Sequence, residues 1–69
     1  MRPNGPAIRA IREAQKMGIR ALERTTGLDR STLSRIERGL IQDSAEPSVR
    51  AIAAALHVQV DAITREEKT

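Results

Sequence analysis

The sequence predicts a small all-α protein, a compact bundle of about five short helices, and three features support this. Apolar residues recur every three or four positions, which is the period of a helix with one buried side. Glycines and prolines divide the 69 residues into segments of a few turns each. The chain has no cysteine and one histidine, so neither disulfides nor a zinc cluster stabilises it, and helix packing has to do so.

The N-terminal part predicts an arm followed by a helix. Residues 1–6 contain two prolines and are expected to form a flexible arm in front of one domain over residues 7–65. A first helix is expected from residue 7 to residue 16 because its isoleucines and alanines follow helical spacing. Either Asn4 or Gly5, followed by a proline, marks the helix start, since proline suits the first helical position.

Further helices are predicted on both sides of the central part of the chain. A short second helix is expected over residues 19–26, after a break at a glycine. A fourth helix begins at Pro47, and its core stripe has the spacing i, i+3, i+4, i+7: Val49, Ile52, Ala53 and Leu56. His57, at the end of that helix, suits a surface or capping role. A fifth helix is expected from about 59 to 65, before a charged tail over residues 66–69.

Residues 26–39 carry the most informative pattern. Gly27 permits a sharp turn because glycine enters left-handed backbone conformations without a Cβ clash. Asp29 is placed to cap a new helix by accepting hydrogen bonds from the backbone N–H groups of its first turn. Gly39 is placed to end that helix. The segment therefore predicts a turn and a third helix of about two turns.

This third helix has two chemically different sides. With 100° per residue, one side of roughly 140° holds arginines and serines: Arg30, Ser34, Arg38, Ser31 and Arg35. Leu33 and Ile36 point the opposite way. Arginine pairs with guanine and serine bonds base edges or phosphates, so the pattern fits a helix in a DNA major groove. An ordinary solvated basic face explains the helix equally well when it is considered alone.

The distribution of charge favours a polyanion as the partner. Residues 1–16 carry a net charge of +3, residues 17–39 carry +2 and residues 40–69 carry −2. The basic excess thus surrounds the third helix, as a nucleic-acid-binding face requires. The chain has no aromatic residue, which argues against single-strand binding by base stacking. It also has no membrane-spanning run and no signal peptide, so we expect a cytoplasmic protein without membrane contact.

Two segments resemble a known family. Thr26-Gly-Leu-Asp-Arg-Ser-Thr-Leu-Ser-Arg-Ile-Glu-Arg-Gly39 is similar to the turn and recognition helix of phage repressor/Cro-class (xenobiotic-response-type) helix-turn-helix domains. Pro47-Ser48 and Ala55-Leu56-His57-Val58 resemble the fourth and fifth helices of that family. The likeness runs from about residue 8 to residue 63. It implies a lambda-repressor-like fold and a sequence-specific, repressor-like regulator of transcription on double-stranded DNA, encoded by a bacterium or phage and associated with the nucleoid.

The resemblance also implies roles for individual residues. The positions that contact DNA bases in the family are occupied by Arg30, Ser31 and Arg35, and Ser34, which lies between them, is a further candidate. The candidates for DNA phosphate contact are Arg20, Thr32, Arg38, Gln42 and Ser44. Arg12 and Glu37 match a pair that family members join as a partly buried salt bridge, so both are expected to be structural. A homodimer, at least on DNA, is expected, and neither a cofactor nor a metal is implied.

The sequence departs from the family pattern at the second helix and in the following loop. Gly18 and Ile19 stand where the family has a Ser/Thr cap and a glutamine that holds a phosphate. Glu23 replaces a small packing residue. Arg20 is therefore the expected substitute for the missing phosphate anchor. The loop over residues 40–46 is longer than is typical and carries two carboxylates, which weaken DNA binding unless they point away from it.

A different class of function remains open at this point. The acidic loop over residues 40–46 and the apolar pair Leu40-Ile41 favour a protein-interaction module, such as an antitoxin or a phage or plasmid accessory factor. An enzyme has little support because the sequence has no nucleophile–base constellation and no phosphate-cradling loop. Salt-sensitive binding to DNA distinguishes the regulator from the protein-interaction module.

Overall fold

The structure is a computed structural model that describes residues 1–65. The all-α prediction is confirmed, and the four α-helices are α1 (Gly5–Ala14), α2 (Ile19–Thr26), α3 (Arg30–Glu37) and α4 (Glu46–Leu56). The predicted fifth helix is a 3₁₀ helix, Val60–Ile63, shorter than expected. The charged tail predicted over residues 66–69 lies outside the described residues. None of the helices described is long and apolar enough to span a bilayer.

One apolar core joins all five helical elements. Its largest fully buried side chains are Ile8 from α1, Leu22 from α2, Leu33 and Ile36 from α3, Val49, Ile52 and Leu56 from α4, and Ile63 from the 3₁₀ helix. The predicted stripe of α4 is therefore confirmed as core. Helix α3 packs on α1 and on α2, while α4 packs on α2 and on the 3₁₀ helix. The core thus holds α3 by its apolar side.

Helix α1 begins and ends two residues earlier than the sequence predicts. It begins at Gly5 because the Asn4 side chain accepts a hydrogen bond from the backbone N–H of Ala7, at 3.2 Å. It ends at Ala14, and Lys16 has a φ of 56°. The left-handed conformation of Lys16 reverses the chain without a glycine.

Residues 1–4 are bound to the C-terminal segment. The backbone N–H of Asn4 donates to the carbonyl of Ile63 at 2.8 Å, and that of Arg65 donates to the carbonyl of Arg2 at 2.9 Å. These residues complete a short antiparallel pairing beside α1, and the predicted arm over residues 1–6 stays a prediction. The domain limits at residues 7 and 65 stay predictions.

The start of α1 lies directly against the end of α3. A Cβ atom added to Gly5 would lie 2.2 Å from the carbonyl oxygen of Ile36 and 2.6 Å from that of Glu37. Such distances are far inside van der Waals contact, and the atoms approached are backbone atoms that cannot rotate away. Only glycine permits this spacing between α1 and α3.

An ion pair joins the same two helices. The Arg12 guanidinium donates from Nε to Oε2 of Glu37 at 2.7 Å and from Nη2 to Oε1 at 3.0 Å. Its Nη1 donates to the backbone carbonyl of Met17, in the α1–α2 turn, at 3.0 Å. The side chains are only 13% and 6% exposed. The hydrogen bonds with Glu37 raise the pKa of Arg12, against the opposing effect of burial.

Both ends of α3 are capped as predicted. At its start, the Asp29 carboxylate accepts from the backbone N–H of Thr32 at 3.3 Å and from the Thr32 hydroxyl at 2.6 Å. The hydroxyl hydrogen bond is the main reason that the pKa of Asp29 is lowered. At its end, Gly39 has a φ of 77°, and its N–H donates to the carbonyl of Ile36 at 3.1 Å. The N–H of Leu40 donates to the carbonyl of Arg35 at 2.9 Å, which completes a Schellman motif.

Replacing Gly5 tests the contact between α1 and α3. We expect Gly5→Ala to lower the free energy of unfolding by about 3 kcal/mol or more, because the new methyl group overlaps two backbone carbonyls. Gly18→Ala is the matched control, since a Cβ at Gly18 meets nothing within 4 Å. Urea unfolding followed by circular dichroism measures both. Equal stability of the two variants would contradict the close approach.

Breaking the Arg12–Glu37 pair tests its structural role. We expect Arg12→Met to cost about 3–5 kcal/mol of unfolding free energy because it leaves the Glu37 carboxylate buried and uncompensated. Adding Glu37→Leu should recover most of that loss, since an apolar pair needs no charge partner. Arg9→Ala, which breaks an exposed pair with Glu13, should cost less than about 0.5 kcal/mol. A double variant that is no more stable than Arg12→Met would contradict this assignment.

The Asp29 cap makes part of the stability depend on pH. Because the folded state lowers the pKa of Asp29, its ionised form stabilises the protein above about pH 4, the unfolded-chain value. This contribution is lost as the pH falls through the lower folded-state pKa. Asp29→Asn keeps an acceptor but has no charge. We therefore expect the difference in unfolding free energy between wild type and variant to shrink on acidification. A constant difference from pH 7 to pH 2 would show that the charge of Asp29 does not stabilise the fold.

Candidate nucleic-acid interface

The outward side of α3 forms one wall of a shallow, open depression of about 450 Å³. We call its six lining residues the α3 surface: Ile19, Arg30, Ser31, Ser34, Arg35 and Arg38. Because Leu33 and Ile36 are buried behind them, α3 cannot turn this side inward without losing its core contacts. The structure thus brings together all four predicted base-contacting residues and one predicted phosphate-contacting residue, Arg38.

The arginines of the described chain fall into two groups. Three form ion pairs with a glutamate: Arg9 with Glu13, Arg12 with Glu37 and Arg50 with Glu46. Within residues 1–65, seven others form no ion pair and donate no side-chain hydrogen bond: Arg2, Arg20, Arg24, Arg30, Arg35, Arg38 and Arg65. All three arginines of the α3 surface belong to this second group. Their donors are therefore available to an external acceptor such as guanine or phosphate.

The hydroxyl groups divide in the same way. Four threonine hydroxyls donate to acceptors inside the protein: those of Thr25, Thr26, Thr32 and Thr64. The hydroxyls of Ser31 and Ser34 make no hydrogen bond within the described chain, although both lie on a helix where a carbonyl is near. These two serines remain able to donate to a ligand at the α3 surface.

The other predicted phosphate-contacting residues lie outside the α3 surface. Arg20 is exposed on α2 but does not line the depression. Gln42 lines a second, smaller depression, and the backbone N–H of Ser44 donates to the carbonyl of Met1 at 2.8 Å. The hydroxyl group of Thr32 donates to Asp29 at the start of α3, so its predicted phosphate contact stays a prediction. In the structure, Thr32 helps to cap α3.

Sequence reasoning missed Ile19 as a member of the α3 surface. Its position was noticeable, because it occupies the place where the family has a phosphate-holding glutamine, but its apolar side chain suggested no contact. In the structure it is half-buried, packs against the core and lines the depression beside the arginines. An apolar group there can contact a thymine methyl or a sugar, although it cannot donate to a phosphate.

The backbone at the α2–α3 turn positions this surface. Helix α2 ends at Gly27, whose φ of 78° and hydrogen bond to the carbonyl of Glu23 reverse the chain. The hydroxyl oxygen of Thr26 accepts from the N–H of Leu28 at 3.1 Å, and the Leu28 side chain packs against the core. The turn is thus hydrogen-bonded and anchored, so α2 and α3 form one rigid unit that presents the α3 surface to solvent.

Comparisons with known proteins agree with this geometry. A sequence model of the Cro/C1-type helix-turn-helix family matches residues 8–63, from α1 through the 3₁₀ helix. Among solved structures, the chain is similar to the restriction-modification controller protein C.AhdI from Aeromonas hydrophila. The two are 28% identical, the match covers 84% of this chain and 86% of that one, and the TM-score is 0.77. No significantly similar sequence was found among curated proteins. The chain belongs to the Cro/C1-type helix-turn-helix family and is a DNA-binding transcriptional regulator.

Proposed function

We propose that this regulator binds double-stranded DNA sequence-specifically, with α3 in the major groove, and acts in a repressor-like manner. One observation carries the proposal: the exposed side of α3 holds three arginines and two serines whose side chains make no hydrogen bond within the described chain. On a helix face that only meets solvent, arginines and serines do not need to stay clear of carboxylates and other internal acceptors. A helix that meets bases and phosphates does need this separation, because an internal partner would compete for the same donors.

Base recognition would come from the front of the α3 surface. Arg30 and Arg35 each carry a planar fork of donors that matches O6 and N7 of guanine, and each good pair contributes about 1–3 kcal/mol of discrimination. Ser31 and Ser34 would bond base edges or nearby phosphates. We propose these four residues as the base-contacting set.

Phosphate contacts would fix the orientation of the domain on the duplex. Arg38 follows the last residue of α3 and is exposed, so it would meet the backbone at the edge of the groove. Arg20 and Gln42 are proposed as further phosphate contacts. Arg20 precedes α3 in the sequence, and Gln42 follows it. Ser44 is retained as a candidate through its side-chain hydroxyl alone, because its backbone N–H is already bonded.

Two copies of the chain are proposed to act together on DNA. One domain of 69 residues covers few base pairs. Useful specificity then requires two copies on a two-fold symmetric site whose half-sites lie about 34–36 Å apart. We propose assembly on DNA as a homodimer, and action in the cytoplasm at the nucleoid. We propose no catalytic activity for this regulator.

A protein-interaction module through the loop over residues 40–46 is the less favoured function. Leu40 is 64% exposed, but its neighbour Ile41 packs partly against the core, so the apolar pair does not form a continuous exposed patch. The family and the likeness to a restriction-modification controller protein both favour a role in transcription.

Selection from a random duplex library at physiological salt, followed by two substitutions, tests the DNA-binding mode. Arg30→Ala should relax base preference at one position by about ten- to a hundredfold, since it removes a base contact. Arg38→Ala should weaken all sequences alike and reduce the slope of log K against log salt by about 0.9. Fluorescence anisotropy with selected and scrambled duplexes measures both effects.

Arg50→Ala is the matched control for that experiment. It removes the same charge, but from a residue that is paired with Glu46 on α4. We expect it to change neither the selected motif nor the salt slope. If Arg30→Ala and Arg38→Ala behave like this control, α3 is not the element that enters the groove.

A further inference from the structure

The two chain ends bring a pair of arginines together on one side of the molecule. Pro3 and Thr64 form an antiparallel bridge, and the N–H of Arg65 donates to the carbonyl of Arg2 at 2.9 Å. This pairing holds Arg2 and Arg65 side by side although they lie at opposite ends of the described chain. Because the hydrogen bonds are between backbone atoms, the pairing leaves both guanidinium groups unused.

These arginines line a second depression of about 170 Å³. Its lining residues are Arg2, Pro3, Gly5, Gly39, Ile41, Gln42 and Arg65. No carboxylate is among them, and neither arginine forms an ion pair within residues 1–65. The lining thus combines two cations with the amide of Gln42, a set of donors that suits an anion rather than an apolar ligand. The volume is below the 300–1,000 Å³ or so of pockets for small organic molecules, and it favours a single phosphate group.

Among the described residues, the acidic residue that follows Gln42 in the sequence is already engaged. Asp43, next to Gln42, accepts a hydrogen bond from the amino group of Met1 at 2.7 Å. That hydrogen bond is the main reason that the pKa of Asp43 is lowered. Asp43 therefore has a partner of its own and does not line the depression, although the charge of Arg2 also contributes to lowering its pKa.

The second depression adjoins the α3 surface at the end of α3. Arg38 lines the first depression and Gly39, the next residue, lines the second. A polyanion in contact with Arg38 therefore has a route to further guanidinium groups without crossing a carboxylate of the lining. A DNA strand that leaves the groove at the C-terminal end of α3 meets these two features in succession.

We propose that Arg2 and Arg65, together with Gln42, form a second phosphate-binding site that extends the DNA contact beyond the end of α3. This inference rests on the proposed function, because it requires a duplex bound at the α3 surface. The site binds the phosphodiester backbone and reads no base. Its contribution is to affinity, to salt dependence and to the orientation of the domain.

The test compares salt dependence for three forms of the full chain on a duplex selected with wild type. In Arg2→Ala/Arg65→Ala we expect the slope of log K against log salt to fall by about 1.8, because two phosphate contacts are lost at about 0.9 each. The affinity advantage of wild type then shrinks about tenfold between 50 and 200 mM salt. The selected base motif should stay the same. Arg2→Lys/Arg65→Lys should restore the slope, since lysine also neutralises a phosphate.

Arg9→Ala/Arg50→Ala is the matched control, because it removes two arginines that are paired with Glu13 and Glu46. Its slope should equal that of wild type. If the Arg2/Arg65 variant has the wild-type slope, or only the change seen in this control, the second site does not exist. Thermal unfolding of each variant identifies any loss that comes from the fold.

Two further comparisons complete the test. The first distinguishes DNA phosphate from free phosphate as the ligand, and the second distinguishes failure of the second site from failure of the proposed function. Inorganic phosphate at millimolar concentration, followed by NMR, should shift the Gln42 side-chain amide signals without saturation, because the free anion gains none of the duplex contacts at the α3 surface. A saturable shift without any effect on the DNA slope would instead identify a site for the free anion and overturn the inference. If wild type binds duplex DNA and the Arg2/Arg65 variant has the same salt slope, only the second site is overturned. If wild type shows no salt-dependent binding to duplex DNA, the proposed function is overturned as well.

Discussion

The position of α3 depends on its attachment to α1. Gly5 lets the backbones of the two helices approach closely, and the Arg12 guanidinium adds a bidentate pair with Glu37 on the last turn of α3. The same guanidinium holds the carbonyl of Met17, so one side chain links α1, the α1–α2 turn and α3. Because a buried charge needs its partner, rotation of α3 about its axis would leave both Arg12 and Glu37 uncompensated. The core and this pair together fix which side of α3 faces solvent.

That constraint gives the basic residues two separate roles. Arg12 is used to build the protein, and Arg9 and Arg50 are neutralised by glutamates one helical turn away. The arginines at the α3 surface have no such partners within the described residues. A net charge of +3 is modest for a protein that binds a polyanion. The field at the α3 surface is stronger than this net charge suggests, since three unpaired guanidinium groups lie together there, while Glu13, Glu37, Asp43 and Glu46 are paired elsewhere.

Features that are local in sequence could be predicted, whereas contacts between distant residues could not, apart from the Arg12–Glu37 pair, which the family resemblance indicated. The Asp29 cap and the Gly39 terminus depend on atoms within a few residues, so residue type and spacing were sufficient. The close approach at Gly5 depends on carbonyls of α3 far along the chain, and nothing beside Gly5 in the sequence indicates it. The end of α1 was misjudged because Lys16 looks like a helix former, yet it adopts a left-handed conformation that favours glycine. The pairing of the chain ends is non-local in the same sense.

The departures from the family pattern at α2 are consistent with the positions of the unpaired cations. Gly18 provides no side-chain cap, and Ile19 has no donor where the family has a glutamine for phosphate. The side-chain donor in the first turn of α2 is therefore the exposed guanidinium group of Arg20. Within the described residues, the other unpaired guanidinium groups lie at Arg24 on α2, along α3, at Arg38 and at the paired chain ends. In the proposed complex with DNA, phosphate contacts would then come from Arg20 on α2 as well as from the C-terminal end of α3. A domain anchored in this way can accommodate an apolar residue at the start of α2, because Ile19 is free to contact bases or sugars.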